Sequence, residues 1–167
     1  MATVKFNGET MHLEGELPKL GQMAPAFSLP NPEMKMKSLD DFKGKVLVLV
    51  TVPSLDTPIC DLEVRRFNQE AASLSDRVSI VAVSRDLPFA QARWCAAAGV
   101  KAVTTLSDYR NGDFGRAFGV YIEELALFAR AAFVISPKSV VRYVELVPEV
   151  KEHPRYERII EAIKKEL

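Results

Sequence analysis

The sequence has few of the residues that mark specialised classes of protein. Only two cysteines and two histidines occur among its 167 residues, and His12 and His153 lack the spacing of a metal-binding motif. A chain of this length can bury a full core without a metal or a disulfide to stabilise it. Basic and acidic residues number 22 each, so no excess of charge predicts a nucleic acid or an anionic membrane as a partner.

Long hydrophobic runs and a secretory signal are also missing. The apolar run Val46–Val50 is far too short to span a bilayer. Residues 1–6 do not combine a basic segment with a following apolar one, so we expect no secretory signal. These absences predict a cytoplasmic protein with no membrane partner. In that reducing compartment, two cysteines favour inert thiols or redox chemistry over a structural disulfide.

Strand and helix signals alternate along the chain. Asn7-Gly8 between two alternating segments predicts an N-terminal β-hairpin over about residues 3–15. The continuously apolar segments 45–52 and 78–84 predict strands that are buried on both faces of a sheet. Further strands are predicted at 102–106, 131–135 and 140–147, helices at 58–75, 89–98, 113–118 and 156–163, and a helical turn at 38–42. The pattern of residues 121–129 fits a loop or an extended segment. We therefore predict an α/β fold, a mixed sheet flanked by helices, in a single domain over residues 1–167.

The segment Pro53–Cys60 places a cysteine where a predicted strand gives way to a predicted helix. Thr57 before Pro58 is typical of a helix N-cap followed by proline in the first helical position, so Cys60 falls in the first turn. The spacing from Thr57 to Cys60 is that of a capping box, with sulfur as the acceptor. Free backbone N–H groups and the helix dipole favour a thiolate at such a position. From these residues alone, a buried and inert cysteine is the alternative.

Three of these residues, Pro53, Thr57 and Cys60, match the Pro-x-x-x-Thr-x-x-Cys signature of the peroxiredoxins. With the segment 87–95, Leu-Pro-Phe-Ala-Gln-Ala-Arg-Trp-Cys, the chain resembles the thiol peroxidase branch, the atypical two-cysteine peroxiredoxins. The resemblance covers nearly the whole chain, including the N-terminal hairpin. It also includes the position of Arg130, where the family has its active-site arginine. One departure is Trp94, since phenylalanine is more usual there.

This resemblance implies a thioredoxin-like fold and a peroxidase that needs no cofactor and serves antioxidant defence. Cys60 would be the peroxidatic nucleophile, which reduces hydrogen peroxide or an organic hydroperoxide and becomes a sulfenic acid. Cys95 would be the resolving thiol, forming with Cys60 an intramolecular disulfide that thioredoxin or a similar protein reduces. Thr57 and Arg130 would bind the peroxide, and Pro53 would shape the pocket. A homodimer is implied as well.

A lowered thiol pKa alone accounts for little of such a reaction. Lowering a thiol pKa from about 8.5 to about 6 raises the thiolate fraction at pH 7 roughly 30-fold. A Brønsted slope of about 0.4 to 0.5 removes roughly tenfold of intrinsic nucleophilicity, so the net gain is about threefold. Donors that stabilise the leaving oxygen must supply the rest. We expect the Thr57 hydroxyl and the Arg130 guanidinium to be those donors.

The residues themselves also allow structural roles. Cys95 could simply pack on an alanine-rich helix face, and Arg130 could be a surface arginine at the start of a strand. A Cys60–Cys95 disulfide could be a staple that stabilises the fold by about 4 kcal/mol. Arg65 or Arg66 could pair with Asp61 or Glu63 and so limit the repulsion that these carboxylates impose on a thiolate.

Two other functions compete with a peroxidase. A general thiol-disulfide oxidoreductase would want a Cys-x-x-Cys pair, and Cys60 is followed by Asp-Leu-Glu. A non-enzymatic thioredoxin-like binding module could use residues 121–129 as an exposed contact surface. If Cys60 and Cys95 do react with each other, they start from different predicted helices. We therefore expect the first turn after Thr57 to unwind, since a disulfide needs Cα atoms roughly 4.4 to 6.8 Å apart.

Overall fold

The computed structural model describes residues 2–71 and 73–167. Its strands are β1 (Thr3–Phe6), β2 (Glu9–Glu14), β3 (Ser28–Pro30), β4 (Met36–Ser38), β5 (Val46–Thr51), β6 (Val78–Ser84), β7 (Val103–Ser107), β8 (Tyr121–Ile122), β9 (Leu127–Phe128), β10 (Ala131–Ile135) and β11 (Val141–Leu146). Its α-helices are α1 (Pro58–Ala71), α2 (Pro88–Ala98), α3 (Asp113–Ala117) and α4 (Tyr156–Lys165), and a 3-10 helix covers Leu39–Phe42.

A five-stranded sheet with the order β11-β10-β5-β6-β7 forms the centre of the molecule. Strands β5, β6 and β7 run parallel to one another, and β10 and β11 are antiparallel to their neighbours. Parallel neighbours need a crossover, which α1 supplies between β5 and β6 and α2 between β6 and β7. Every residue of β5 is buried, as its continuously apolar sequence predicts. The predicted mixed sheet flanked by helices is confirmed.

Alternate side chains of the central strands form two separate apolar clusters. On one face, residues of β5, β6 and β10 pack with the apolar stripes of α1 and α4, and the helix α2 lies at the edge of this cluster. On the other face they pack with a group of phenylalanines from α3 and neighbouring segments. The helix α1 therefore rests on a sheet that is covered on both sides, which fixes its position.

The N-terminal hairpin is formed by β1 and β2, as predicted. Asn7 and Gly8 take positive φ angles of 56° and 85°, which suit a two-residue hairpin turn. Strand β2 also pairs with β8, and β8 with β9, so residues 121–129 contain two very short strands. Strands of two residues are too short to show a periodic pattern in the sequence, and β8 also depends on its pairing with the distant β2.

Element boundaries differ slightly from those predicted. Helix α1 ends at Ala71 rather than near Ser75. Serine side chains account for part of this difference: the Ser73 hydroxyl donates to the Glu70 carbonyl at 3.0 Å and competes with helical bonding.

Among the residues that the structure describes, we find no helix long and apolar enough to cross a membrane.

Candidate active site

The loop after β5 delivers Cys60 to the start of α1. The first helical hydrogen bond runs from the Asp61 N–H to the Thr57 carbonyl at 3.0 Å, so Cys60 lies in the first turn, as predicted. Its side chain is fully buried and its thiol is free. Unsatisfied backbone N–H groups at a helix start favour negative charge, and the first helical turn places Cys60 beside such groups.

Thr57 does not form the predicted capping box with sulfur. Its hydroxyl donates to the Ser54 carbonyl at 2.8 Å, and its backbone N–H bonds the same oxygen at 3.1 Å. A hydroxyl has only one proton to donate. Because the Thr57 hydroxyl donates it to Ser54, it does not donate to sulfur or to a peroxide in this structure, although the sequence predicted that it would. The lone pairs of the oxygen stay available to accept a hydrogen bond from a peroxide O–H.

Arg130 lies directly before β10 and is only 2% exposed, so it is not the surface arginine that the sequence left open. Its Nη1 donates to Cys60 Sγ at 3.3 Å and to Glu63 Oε1 at 2.8 Å. Its Nε donates to the Val150 carbonyl at 3.0 Å. Two partners on α1 and one on the segment after β11 thus hold the guanidinium against the thiol, and no hydrogen bond within residues 2–71 and 73–167 occupies Nη2.

Glu63 is a residue whose role in the site the sequence reasoning did not identify. It is fully buried, and its Oε2 finds no hydrogen-bond partner within residues 2–71 and 73–167. Burial raises the pKa of this carboxyl to about 7, although Arg130 opposes the shift. Burial would lower the pKa of Arg130, but the nearby Glu63 and Cys60 outweigh it and the pKa is raised. The i,i+3 spacing of Cys60 and Glu63 on one helix face was the available signal.

The two arginines that were expected to offset nearby carboxylates have different partners. Arg65 pairs with Asp61 at 3.0 Å, which confirms one of the predicted contacts. Arg66 instead pairs with Glu70 at 3.0 Å, one turn further along α1. Glu63 faces the core, where neither of these exposed arginines can reach it. Its cation is the buried Arg130.

A cavity of about 420 Å³ is lined by the residues that precede Cys60 and by Arg130, whose guanidinium contacts the Cys60 sulfur. Its walls are mostly apolar and include two cations; the lining residues are Phe6, Pro53, Thr57, Pro58, Ile59, Arg130 and Lys151. Three predicted site residues, Pro53, Thr57 and Arg130, therefore share one cavity. Phe6 and Lys151, which complete the wall, lie far apart in the sequence. No sequence pattern predicted that they would line the cavity.

Asp86 fastens the loop before Thr57 to the end of β6. Its carboxylate accepts hydrogen bonds from the Ser54 hydroxyl at 2.7 Å, the Leu55 N–H at 2.9 Å and the Ser84 hydroxyl at 2.8 Å. Because the loop has no strand partner at this point, these bonds restrict its conformation. Sequence reasoning did not identify this role.

Cys95 lies on α2, apart from the cluster around Cys60. Its thiol is free and partly buried, and Sγ is 4.0 Å from the Thr105 hydroxyl on β7. Burial raises the pKa of the Cys95 thiol, and the contact with Thr105 only partly offsets this. The two cysteines are on different helices, as predicted.

Comparison with known proteins identifies the family. Residues 19–160 match the redoxin family model. The chain is 50% identical over 164 residues to the thiol peroxidase of Bacillus subtilis (strain 168), covering 98% of each protein. It belongs to the redoxin family. This redoxin is also 51% identical over 164 residues to the thiol peroxidase of Halalkalibacterium halodurans, again over 98% of each chain.

The fold of this redoxin matches that of a protein whose crystal structure is known. The peroxiredoxin-like protein from Aquifex aeolicus superposes with a TM-score of 0.93 at 36% identity, over 100% of this chain and 98% of that one. The predicted thioredoxin-like fold and the predicted resemblance to thiol peroxidases are therefore both confirmed.

Proposed function

We propose that this redoxin is a thiol peroxidase that reduces hydrogen peroxide and organic hydroperoxides through Cys60 and so serves antioxidant defence. The observation that carries the proposal is the position of the buried Cys60 sulfur. It lies at a helix N-terminus, 3.3 Å from the guanidinium of Arg130, and Arg130 in turn lines a mostly apolar cavity. Relatives named thiol peroxidase, which match nearly the full length, support it.

The first step converts the Cys60 thiolate to a sulfenic acid. The thiolate attacks one peroxide oxygen, so an S–O bond forms, the O–O bond breaks, and sulfur is oxidised by two electrons. The second oxygen leaves with the bonding pair and takes up a proton, giving water or an alcohol. Arg130 stays charged and donates to the developing negative charge, while the Thr57 oxygen accepts from the peroxide O–H. Pro53 is buried and forms part of the cavity wall.

The second step joins Cys60 to Cys95. The Cys95 sulfur attacks the sulfenic sulfur, water leaves, and an intramolecular disulfide forms; a thioredoxin-like protein reduces it by thiol exchange. The thiols begin next to different strands, because Cys60 contacts the residue before β10 and Cys95 contacts β7. Strands β5 and β6 lie between these two, and each strand spacing is about 4.8 Å. We therefore propose that the first turn of α1 unwinds before the disulfide forms.

The competing functions have less support. A structural staple would predict that the reduced protein is weakened, whereas the structure has two buried apolar clusters that pack without a disulfide. The binding module was suggested by an exposed loop at 121–129. Four of its residues are buried and it pairs with β2, so that surface is smaller than expected; the buried residues are Tyr121, Ile122, Phe128 and Ala129.

We also propose a cytoplasmic location and a homodimer. The location is supported by the low number of cysteines, because proteins stabilised by disulfides belong to oxidising compartments. The homodimer rests on the family resemblance alone, and sedimentation equilibrium of the reduced protein tests it directly.

Stopped-flow consumption of hydrogen peroxide by the reduced protein tests the peroxidase. Cys60→Ser should lose the reaction, and Cys95→Ser should retain a single turnover and accumulate a sulfenic acid at Cys60. Equal rates for the wild type and Cys60→Ser would refute the proposal. If Cys95→Ser turned over with thioredoxin at the wild-type rate, Cys95 would not be the resolving thiol.

A further inference from the structure

A side-chain bridge connects the neighbours of the two cysteines. The indole Nε1 of Trp94, the residue before Cys95, donates to Oδ1 of Asp61, the residue after Cys60, at 2.8 Å. Arg65 binds both oxygens of the same carboxylate through Nε, at 3.1 and 3.0 Å. We refer to Asp61, Arg65 and Trp94 as the Asp61 cluster.

Arg65 also closes the cluster from the side of α2. Its guanidinium lies 5.8 Å from the centroid of the Trp94 ring, and its Nη1 reaches the Ala98 carbonyl at 3.5 Å. The Asp61 side chain is 31% exposed, so its bonds are partly shielded from water. Helix α1 is thereby attached to α2 immediately beside both thiols.

The Asp61 cluster and the first turn of α1 depend on the same residue. The Asp61 backbone N–H makes the hydrogen bond to Thr57 that closes this turn. If the turn unwinds so that Cys60 can move toward Cys95, Asp61 leaves its place, and the bond from Trp94 must break. The free energy of that bond therefore adds to the barrier for the rearrangement and not to the chemistry at Cys60.

We infer that the Asp61 cluster is a latch, in which Trp94 is a positioning residue that keeps the first turn folded and so slows formation of the Cys60–Cys95 disulfide. The inference rests on the proposed function, because it requires Cys95 to resolve the Cys60 sulfenic acid. The latch takes no part in bond making. It lengthens the time during which the sulfenic acid persists beside Arg130, where a second peroxide can oxidise it further to a sulfinic acid.

Trp94→Phe isolates this effect, since it keeps an aromatic ring, changes no charge and removes the N–H donor. A neutral-to-charged hydrogen bond at a partly exposed site should slow the rearrangement about 2- to 10-fold. In Trp94→Phe the disulfide should thus form about 2- to 10-fold faster, with Cys60 oxidised at the wild-type rate. Sulfinic acid at high peroxide should fall by a similar factor.

The measurement is rapid quenching with a thiol-blocking reagent followed by mass spectrometry, because Trp94 is the only tryptophan and the variant loses that fluorescence signal. Glu70→Gln is the matched control: it breaks the Arg66–Glu70 pair, an i,i+4 pair on the same helix that does not reach α2. It should leave both steps unchanged. In an Asp61→Ala background, Trp94→Phe should give no further acceleration.

Hydrogen exchange of the reduced proteins gives a second measurement, in which residues 58–62 should exchange faster in Trp94→Phe and in Asp61→Ala than in the wild type. Disulfide formation at the wild-type or a slower rate in Trp94→Phe, or equal acceleration in Glu70→Gln, would overturn the latch alone. A wild-type protein that is oxidised at Cys60 but never forms a disulfide with Cys95 would overturn the two-cysteine mechanism together with the latch.

Discussion

At the scale of single residues, Arg130 combines three tasks in one buried side chain. It faces the Cys60 sulfur, neutralises part of the charge on Glu63, and is anchored to the Val150 carbonyl. Lysine has one compact ammonium group and cannot reproduce this forked geometry. Because the guanidinium is preorganised by the fold, it can stabilise the leaving oxygen without rearranging during the reaction.

Arg130→Gln should lower the rate constant for oxidation of Cys60 by peroxide about 100- to 1,000-fold, the usual cost of losing a preorganised donor to a developing anion. Arg130→Lys should recover only a small part of it. Stopped-flow or competition kinetics of the reduced protein measure this. Arg142→Gln, which changes a half-exposed arginine paired with Glu166 at 3.6 Å, is the control and should react at the wild-type rate.

Glu63 should make the stability of the protein depend on pH. Burial raises its folded-state pKa from an ordinary 4.5 to about 7, so the folded state binds this proton more tightly than the unfolded state. The resulting stabilisation is fully present below about pH 4.5 and is lost as the pH rises toward about 7. The free energy of unfolding of the wild type relative to Glu63→Gln should therefore decrease over this range.

Urea denaturation of both proteins at several pH values between 4 and 8 measures that difference. Asp40→Asn, at an exposed carboxylate paired only with Lys43, serves as the control and should show no comparable trend. A constant difference between wild type and Glu63→Gln would show that the carboxyl titrates in the folded protein as it does in the unfolded chain.

At the scale of elements, the start of α1 meets two requirements that oppose each other. Its first turn must be folded to present Cys60 to Arg130 and the cavity, and it must open if Cys60 is to reach Cys95. Contacts on both sides keep it folded in the reduced protein: Asp86 holds the preceding loop, and Trp94 holds Asp61. The fraction of reduced protein in which the first turn is open therefore depends on contacts from Asp86 and Trp94, which lie outside α1.

Hydrogen exchange should reveal this opening. We expect residues 57–62 to be protected in the reduced protein and to lose most of that protection in the Cys60–Cys95 disulfide form, because we propose that the first turn unwinds when the disulfide forms. Residues 78–84 of the central strand β6 should be equally protected in both forms and serve as the internal control. Identical protection of residues 57–62 in both forms would contradict the unwinding.

At the scale of the whole molecule, the cavity is assembled from both ends of the chain. The hairpin and the segment after β11 are joined by backbone hydrogen bonds, from the Lys5 N–H to the Pro148 carbonyl and from the Val150 N–H to the Lys5 carbonyl. This brings Phe6 and Lys151 over the cavity, with the Lys151 ammonium 5.9 Å from the centroid of the Phe6 ring. The same segment supplies the Val150 carbonyl that anchors Arg130.

Phe6→Ala should weaken reaction with a bulky organic hydroperoxide more than reaction with hydrogen peroxide. The ring forms an apolar wall that only the larger substrate can contact, and losing about 50 Å² of such contact costs roughly 1 kcal/mol, or about fivefold. Comparing kcat/KM for cumene hydroperoxide and for hydrogen peroxide gives the ratio. Leu20→Ala changes an exposed leucine outside the cavity lining and should leave it unchanged.

The sequence by itself predicted the central strands, the helices and the cysteine that we propose as the nucleophile. The buried strand before Pro53, the Thr57-Pro58 helix start and the Asn7-Gly8 turn are local patterns, because apolar periodicity, capping and positive φ angles depend on neighbouring residues. The position of Cys60 in the first helical turn follows from them. The family signature then assigned Cys95 and Arg130.

Only the tertiary structure decided which groups surround the sulfur. The partners of Arg130 come from α1 and from the segment after β11, and Phe6 and Lys151 come from opposite ends of the chain. The sequence predicted that the Thr57 hydroxyl would donate to sulfur or to peroxide, but it donates to the Ser54 carbonyl, because the turn brings that acceptor closest. Long-range pairing and burial, which no local pattern encodes, thus bring Arg130, the buried Glu63 carboxyl and the cavity to the helix start that holds Cys60.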